Sequence, residues 1–109
     1  MRYISTRGGI EPVRFKDAVM MGLADDGGLL LPESIPCLSA EDLASLSGMR
    51  YQDIAWTVMS RFVDDIPDGD LRLLIERSYA TFNDPAVTPV IQKDGVYILE
   101  LFHGVTLAF

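Results

Sequence analysis

The sequence predicts an α+β domain of about four helices, with short strands at both ends that include a C-terminal β-hairpin. Three observations carry this. Apolar residues recur at helical spacing in several stretches between residues 15 and 82. A short run of β-forming residues opens the chain, and Gly8-Gly9 breaks it off. Near the other end, Asp94-Gly95 stands between two β-rich runs.

The elements follow in order. Tyr3 and Ile4 favour a strand over residues 2–5. After Pro12, residues Phe15, Ala18, Val19, Gly22 and Leu23 fall on one stripe of a helix. Gly27-Gly28 is expected to end that helix, because glycine takes a positive φ at little cost. Leu29-Leu30-Leu31-Pro32 reads as a short buried strand or extended segment. Ser39 offers its hydroxyl as an N-cap, with Glu41 and Asp42 in the first turn of a helix running through Leu43 and Leu46 to Gly48. Tyr51, Ile54, Ala55, Val58 and Phe62 form the clearest helical stripe. Asp68, after Pro67, is expected to cap the next helix, which carries Leu71, Leu74, Ile75, Ser78, Tyr79 and Phe82 and stops at Asn83-Asp84-Pro85. Beyond Pro89 the period changes: Val90-Ile91-Gln92 and Val96-Tyr97-Ile98-Leu99 flank Lys93-Asp94-Gly95. An Asp-Gly pair suits the type I′ hairpin turn, which needs two positive φ angles.

At 109 residues the chain reads as one domain. It is large enough to bury roughly 60–70% of its unfolded surface in one core. Composition is 49% hydrophobic and 23% charged, as in soluble globular proteins. No apolar run approaches the roughly 20 residues of a membrane span, and no apolar segment follows the N-terminal arginines as in a secretory signal. The expected compartment is the cytoplasm. The single cysteine, Cys37, agrees, since it allows no intramolecular disulfide. It reads as a packing residue in a turn, not a nucleophile. The net charge of −7, with basic residues scattered along the chain, argues against nucleic acid as a partner. Asp25-Asp26 and Asp64-Asp65 read as solvated loop carboxylates, without the spacing of a calcium loop.

Catalytic constellations are sparse. A single histidine rules out a His-pair metal site, and neither a Gly-x-Ser-x-Gly elbow nor a P-loop occurs. Gly8-Gly9, beside Arg7, reads as a plain turn rather than a phosphate cradle. Trp56, Met20, Met21 and Met59 read as core or its flank. For His103 two readings stand side by side. One is a loop histidine with a backbone partner. The other is a side chain facing a cofactor pocket whose second wall lies outside this chain.

The last ten residues read Glu100-Leu101-Phe102-His103-Gly104-Val105-Thr106-Leu107-Ala108-Phe109. Together with Tyr3-Ile4-Ser5-Thr6-Arg7-Gly8 and Asp26-Gly27-Gly28-Leu29, they resemble the threonine synthase family of fold type II pyridoxal-phosphate enzymes. Residues 38–85 match that family only in pattern. Val105 stands where the family motif has proline, so the backbone regains an N–H there.

The resemblance implies an N-terminal domain over residues 1–109, with residues 100–109 leading into a cofactor-binding domain. It implies that the chain ends one residue short of the lysine that holds pyridoxal phosphate. The family's reaction turns O-phospho-L-homoserine and water into L-threonine and phosphate, the cofactor serving as electron sink. The reacting groups would lie beyond this chain, which is expected to hold no catalytic residue and to be inactive alone. Phe102, His103, Gly104, Thr106 and Phe109 would shape the pocket near that lysine. Thr106 would alternatively cap the following helix. Arg7 would attract an anionic substrate or form a surface ion pair. Val105 leaves room for a related phospholyase that releases a keto acid. A third reading, of another class, is a stand-alone interaction domain with an exposed apolar patch.

Overall fold

The computed structural model describes residues 1–104. Its elements are β1 (Tyr3–Ser5), α1 (Phe15–Met21), β2 (Leu30–Pro32), α2 (Ala40–Ser45), α3 (Tyr51–Met59), α4 (Asp68–Tyr79), β3 (Val90–Lys93) and β4 (Val96–Leu99). The α+β class is as predicted: four helices and two separate antiparallel strand pairs.

β1 pairs with β2 in the register Tyr3↔Pro32, Ile4↔Leu31 and Ser5↔Leu30. β3 pairs with β4 from Val90↔Leu99 to Lys93↔Val96. Asp94 (φ 52) and Gly95 (φ 80) supply the two positive φ angles of the hairpin turn, as the Asp-Gly pair predicts. Ser39 likewise caps α2. Its hydroxyl accepts from the Asp42 N–H at 3.0 Å while the Asp42 carboxylate accepts from the Ser39 N–H at 3.0 Å, closing a capping box.

Four expectations are corrected. α1 ends at Met21, with Gly22 (φ 73) donating its N–H to the Ala18 carbonyl. Gly22 had the right spacing for the apolar stripe, yet a glycine one step past a helix takes the left-handed conformation most cheaply. Gly27-Gly28 instead shapes the loop into β2. At α4 the cap position is held by Pro67, and Asp68 is the first helical residue. Leu29 and Leu31 are exposed, because a two-stranded ribbon leaves much of its surface uncovered. Cys37 is exposed rather than packed.

The core gathers Val63, Leu71 and Ile75 where α3 and α4 meet, flanked by Phe15, Trp56, Met59 and Tyr79. The Arg72 guanidinium lies 3.6 Å from the centre of the Trp56 ring, a cation–π contact on the outer side of that helix pair. Tyr3 ties β1 to this core. Its ring lies 5.8 Å from that of Phe15, and its hydroxyl donates to the Phe62 carbonyl at 3.0 Å. Burial, with Asp64 and Asp65 nearby, pushes the Tyr3 hydroxyl up from its ordinary range. By contrast every residue of β3 and β4 is exposed. No described helix is long and apolar enough to cross a membrane.

Candidate functional site

Two regions hold the residues singled out by the sequence. The first is a knot between residues 3–9 and 24–30. At its centre the Asp26 carboxylate accepts from the Ser5 hydroxyl at 2.7 Å, from the Gly9 N–H at 2.7 Å and from the Gly28 N–H at 2.9 Å. The Ser5 hydroxyl, then the Gly28 and Gly9 amides and the Arg7 charge, hold the Asp26 carboxyl below its usual range. Arg7 donates from Nη1 to the Asp26 backbone carbonyl at 2.9 Å, and Thr6 Oγ1 accepts from the Leu29 N–H at 3.0 Å.

The knot requires glycine where it is tightest. A Cβ on Gly28 would lie 2.2 Å from Ser5 Oγ, and one on Gly9 would lie 2.8 Å from Asp26 Oδ2. The reading of Asp26 as a solvated loop carboxylate is therefore corrected: it is the acceptor around which two loops fold. The Gly9 amide is occupied by Asp26 and the Gly8 amide by the Ser5 carbonyl, so neither glycine amide of this turn is free for a phosphate. Arg7 serves the loop, bonding the Asp26 backbone carbonyl while its charge favours the Asp26 carboxylate.

The Asp64-Asp65 pair is also structural. Asp65 accepts from the Lys16 N–H at 3.0 Å and so caps α1 from a distant loop, its side chain only 5% exposed. Asp64 accepts from the N-terminal ammonium and, at 3.3 Å, from Arg14 Nη2, which in that order hold its carboxyl below the usual range. These residues line an open, polar cavity of about 690 Å³ together with Arg14, Lys16 and Asp68. It shares no residue with the segment read as pocket-flanking, and Arg14 already pairs there with Asp64 and Asp65.

The second region runs from the hairpin into residues 100–104. His103 lies between two side chains: Asn83 Oδ1 is 2.6 Å from Nδ1, and Glu100 Oε2 is 2.7 Å from Nε2. The His103 carbonyl also accepts from the Asn83 N–H at 3.2 Å. Phe102 is 71% exposed, its ring 4.6 Å from the imidazole. Gly104 passes against Phe82, whose Cζ would lie 3.1 Å from an added Cβ. Thr106 and Phe109, and Val105 with them, lie outside the described residues. The structure thus brings Phe102, His103 and Gly104 together with two residues the sequence did not single out, Asn83 and Glu100.

Asn83 opens a tight turn in which Asp84 accepts from the Ala86 N–H through its carboxylate at 2.8 Å and from the Val87 N–H through its carbonyl at 3.0 Å. Val87 sits at φ 64 and is 1% exposed. A β-branched residue there is strained by about 1–3 kcal/mol, which burial of its side chain offsets at about 1.5–3 kcal/mol. Among the described residues no group of three His, Cys, Asp or Glu side chains is placed to hold a metal ion.

The sequence model described as "Threonine synthase N terminus" matches residues 2–79. The chain belongs to the threonine synthase N-terminus family. A threonine synthase of Pseudomonas aeruginosa is 46% identical over all of this chain and 24% of its own length. That of Saccharomyces cerevisiae is 42% identical over 98% of this chain and 23% of its own. A threonine synthase-like 2 protein of Xenopus laevis is 38% identical over all of this chain and 24% of its own.

Among solved structures, PLP-bound threonine synthase from Brucella melitensis matches with a TM-score of 0.88 and 40% identity, over 95% of this chain and 23% of that one. Threonine synthase from Escherichia coli matches with a TM-score of 0.78 and 31% identity, over 95% of this chain and 24% of that one. The chain spans about a quarter of the length of the curated relatives it matches. Within this threonine synthase N-terminal unit, the opening motif and the Asp-Gly-Gly-Leu motif prove to be two halves of one fastener. Asn83 carried no signal beyond that of a helix stop, because its partner lies 20 positions away in the chain.

Proposed function

We propose that this chain is the N-terminal portion of a pyridoxal-phosphate threonine synthase, a lyase acting on a phosphorylated substrate. The whole enzyme converts O-phospho-L-homoserine and water to L-threonine and phosphate in the cytoplasm. The observation that carries the reading is the match of the entire chain to threonine synthases at up to 46% identity. Residues 1–109 form one N-terminal unit, with residues 100–109 leading into the cofactor-binding part.

The described residues do not form a socket for the cofactor. Lys16 and Lys93 are exposed, at the start of α1 and at the hairpin turn. The Gly8 and Gly9 amides are occupied, and so are both His103 nitrogens. What this chain offers in this reading is a wall of Phe102, the imidazole of His103 and the backbone at Gly104; Thr106 and Phe109 join it on the sequence resemblance alone. In this reading the cofactor's anchor is assigned to the part of the threonine synthases' length that this chain does not span.

The test is to supply O-phospho-L-homoserine to the longer protein and assay threonine and phosphate. Stoichiometric threonine supports the reading, and turnover to 2-oxobutanoate instead overturns it. The latter outcome would favour a related phospholyase. Similarity over the whole of this chain, and 24% of the relative's own length, to a threonine synthase-like 2 protein motivates that second reading, together with the valine at position 105. The 109-residue chain alone should give no threonine, and with pyridoxal phosphate no specific borohydride-trappable adduct at Lys16 or Lys93.

A further inference from the structure

We propose that Asn83 and Glu100 are positioning residues: they hold the His103 imidazole, and with it the backbone of residues 100–104, in one place relative to the end of α4. The inference rests on reading this segment as the approach to the cofactor pocket. It assigns a task to two side chains outside the pocket-flanking set.

The segment needs such a hold. It leaves β4, and β3 and β4 are exposed at every position, so the hairpin gives it little support from the core. One backbone hydrogen bond and two close side-chain contacts converge on His103 instead. Asn83 meets Nδ1 at 2.6 Å, Glu100 meets Nε2 at 2.7 Å, and the Asn83 N–H reaches the His103 carbonyl at 3.2 Å. Contacts at both ring nitrogens fix the rotation of the ring, and the backbone bond fixes its distance from α4. The His103 side chain is 14% exposed and that of Glu100 17% exposed, so water competes weakly for the contact between them, whereas Asn83 is exposed.

The two ends of the clasp are themselves anchored. The Phe82 N–H donates to the Tyr79 carbonyl at the last turn of α4, and the Phe82 ring packs against Gly104. On the other side the Glu100 N–H donates to the Pro89 carbonyl at 2.9 Å, extending the hairpin ladder. With both nitrogens engaged, His103 presents to the pocket a ring face and a fixed backbone, not a proton donor or acceptor. Its part is to set where the following residues begin. Small displacements of such a segment cost catalysis steeply, since about 1 Å of misplacement can cost about 100-fold in rate.

The experiment compares Asn83→Leu, Asn83→Asp and Glu100→Leu in the longer protein. Asn83→Leu removes the acceptor at nearly constant size, whereas Asn83→Asp keeps an oxygen facing Nδ1. Peptide-resolved hydrogen exchange should show residues 100–104 opening at least about 10-fold more often in Asn83→Leu and Glu100→Leu, with the β1–β2 peptides unchanged. On O-phospho-L-homoserine the same two variants should lose about 10- to 100-fold in kcat with KM within about twofold. Asn83→Asp should restore both readouts to within about threefold.

Wild-type exchange and kcat in Asn83→Leu would overturn the proposal. So would equal loss in Asn83→Leu and Asn83→Asp, which would show that an oxygen facing Nδ1 is not what holds the ring. If the longer protein does not act on O-phospho-L-homoserine at all, the functional reading fails. The exchange measurement then still decides whether the clasp exists.

Discussion

The N-terminal knot and the C-terminal hairpin are both short antiparallel ribbons, yet they are stabilised in opposite ways. In the knot, backbone and side chains interlock: Asp26 gathers donors from β1, from the Gly8-Gly9 turn and from its own loop. Tyr3 then fastens the ribbon to the helical core through Phe15 and the Phe62 carbonyl. The hairpin has a well-formed turn and ladder but exposes all its residues, apolar ones included. It is secured to the helices at its base, through Asn83, Glu100 and His103. A region bonded throughout resists single substitutions unless they strike its centre. A region held at one end is released by losing that end.

Gly28→Ala strikes the centre of the knot and should have the largest effect. Its methyl group would meet Ser5 Oγ at 2.2 Å, so either the Ser5–Asp26 bond or the loop must yield. The expected loss is about 3 kcal/mol in urea unfolding, from overpacking and a broken buried bond. A loss below about 1 kcal/mol would show that the knot is more pliant than it looks.

Acid titration is the next test of the same region. The Asp26 carboxyl is held low by Ser5 first and then by Gly28 and Gly9, and Asp42, Asp53 and Asp64 are held low by their own partners. Each folded-state value lies below the unfolded value of 3.8. Just below that value the unfolded chain therefore binds more protons, and stability rises with pH there. The contribution is complete above about pH 4 and is lost as pH falls through the folded values. Stability should thus be level between pH 7 and about pH 5 and fall steeply below about pH 4. Asp26→Asn should lower the plateau and flatten the acid limb, measured by the urea midpoint against pH. An unchanged acid limb would mean that Asp26 is not the keystone.

The smallest global effect belongs to the hairpin. Gly95 has φ 80, where an alanine is strained by about 1–2 kcal/mol. Gly95→Ala should loosen β3 and β4, seen as loss of their strand chemical shifts in NMR. The urea midpoint of the helical body should meanwhile correspond to a change below about 0.5 kcal/mol. A larger global loss would show that the hairpin is part of the cooperative core and would erase the contrast with the knot.

Much of the fold was legible because its signals are local. A capping box at Ser39 and Asp42 needs a spacing of three residues. The Asp94-Gly95 turn needs two adjacent residues that accept positive φ, and the α3 and α4 stripes need only the helical period. The misreadings arose where a residue served two roles. Gly22 had the spacing of the α1 stripe but acts as the helix stop. Asp26 looked like a turn carboxylate, and only the arrival of Ser5 and Gly9 makes it an acceptor of three partners.

The sequence by itself determined the class, the helix and hairpin positions and the family, since each depends on near neighbours or on short motifs. The tertiary structure alone decided what those motifs do. It joined the opening motif to the Asp-Gly-Gly-Leu turn and set Asn83 against His103. Both are contacts between residues some 20 positions apart. Side-chain hydrogen bonds over such distances leave no periodic trace in a chain, because their geometry exists only once the intervening helices and turns have fixed where each end lies.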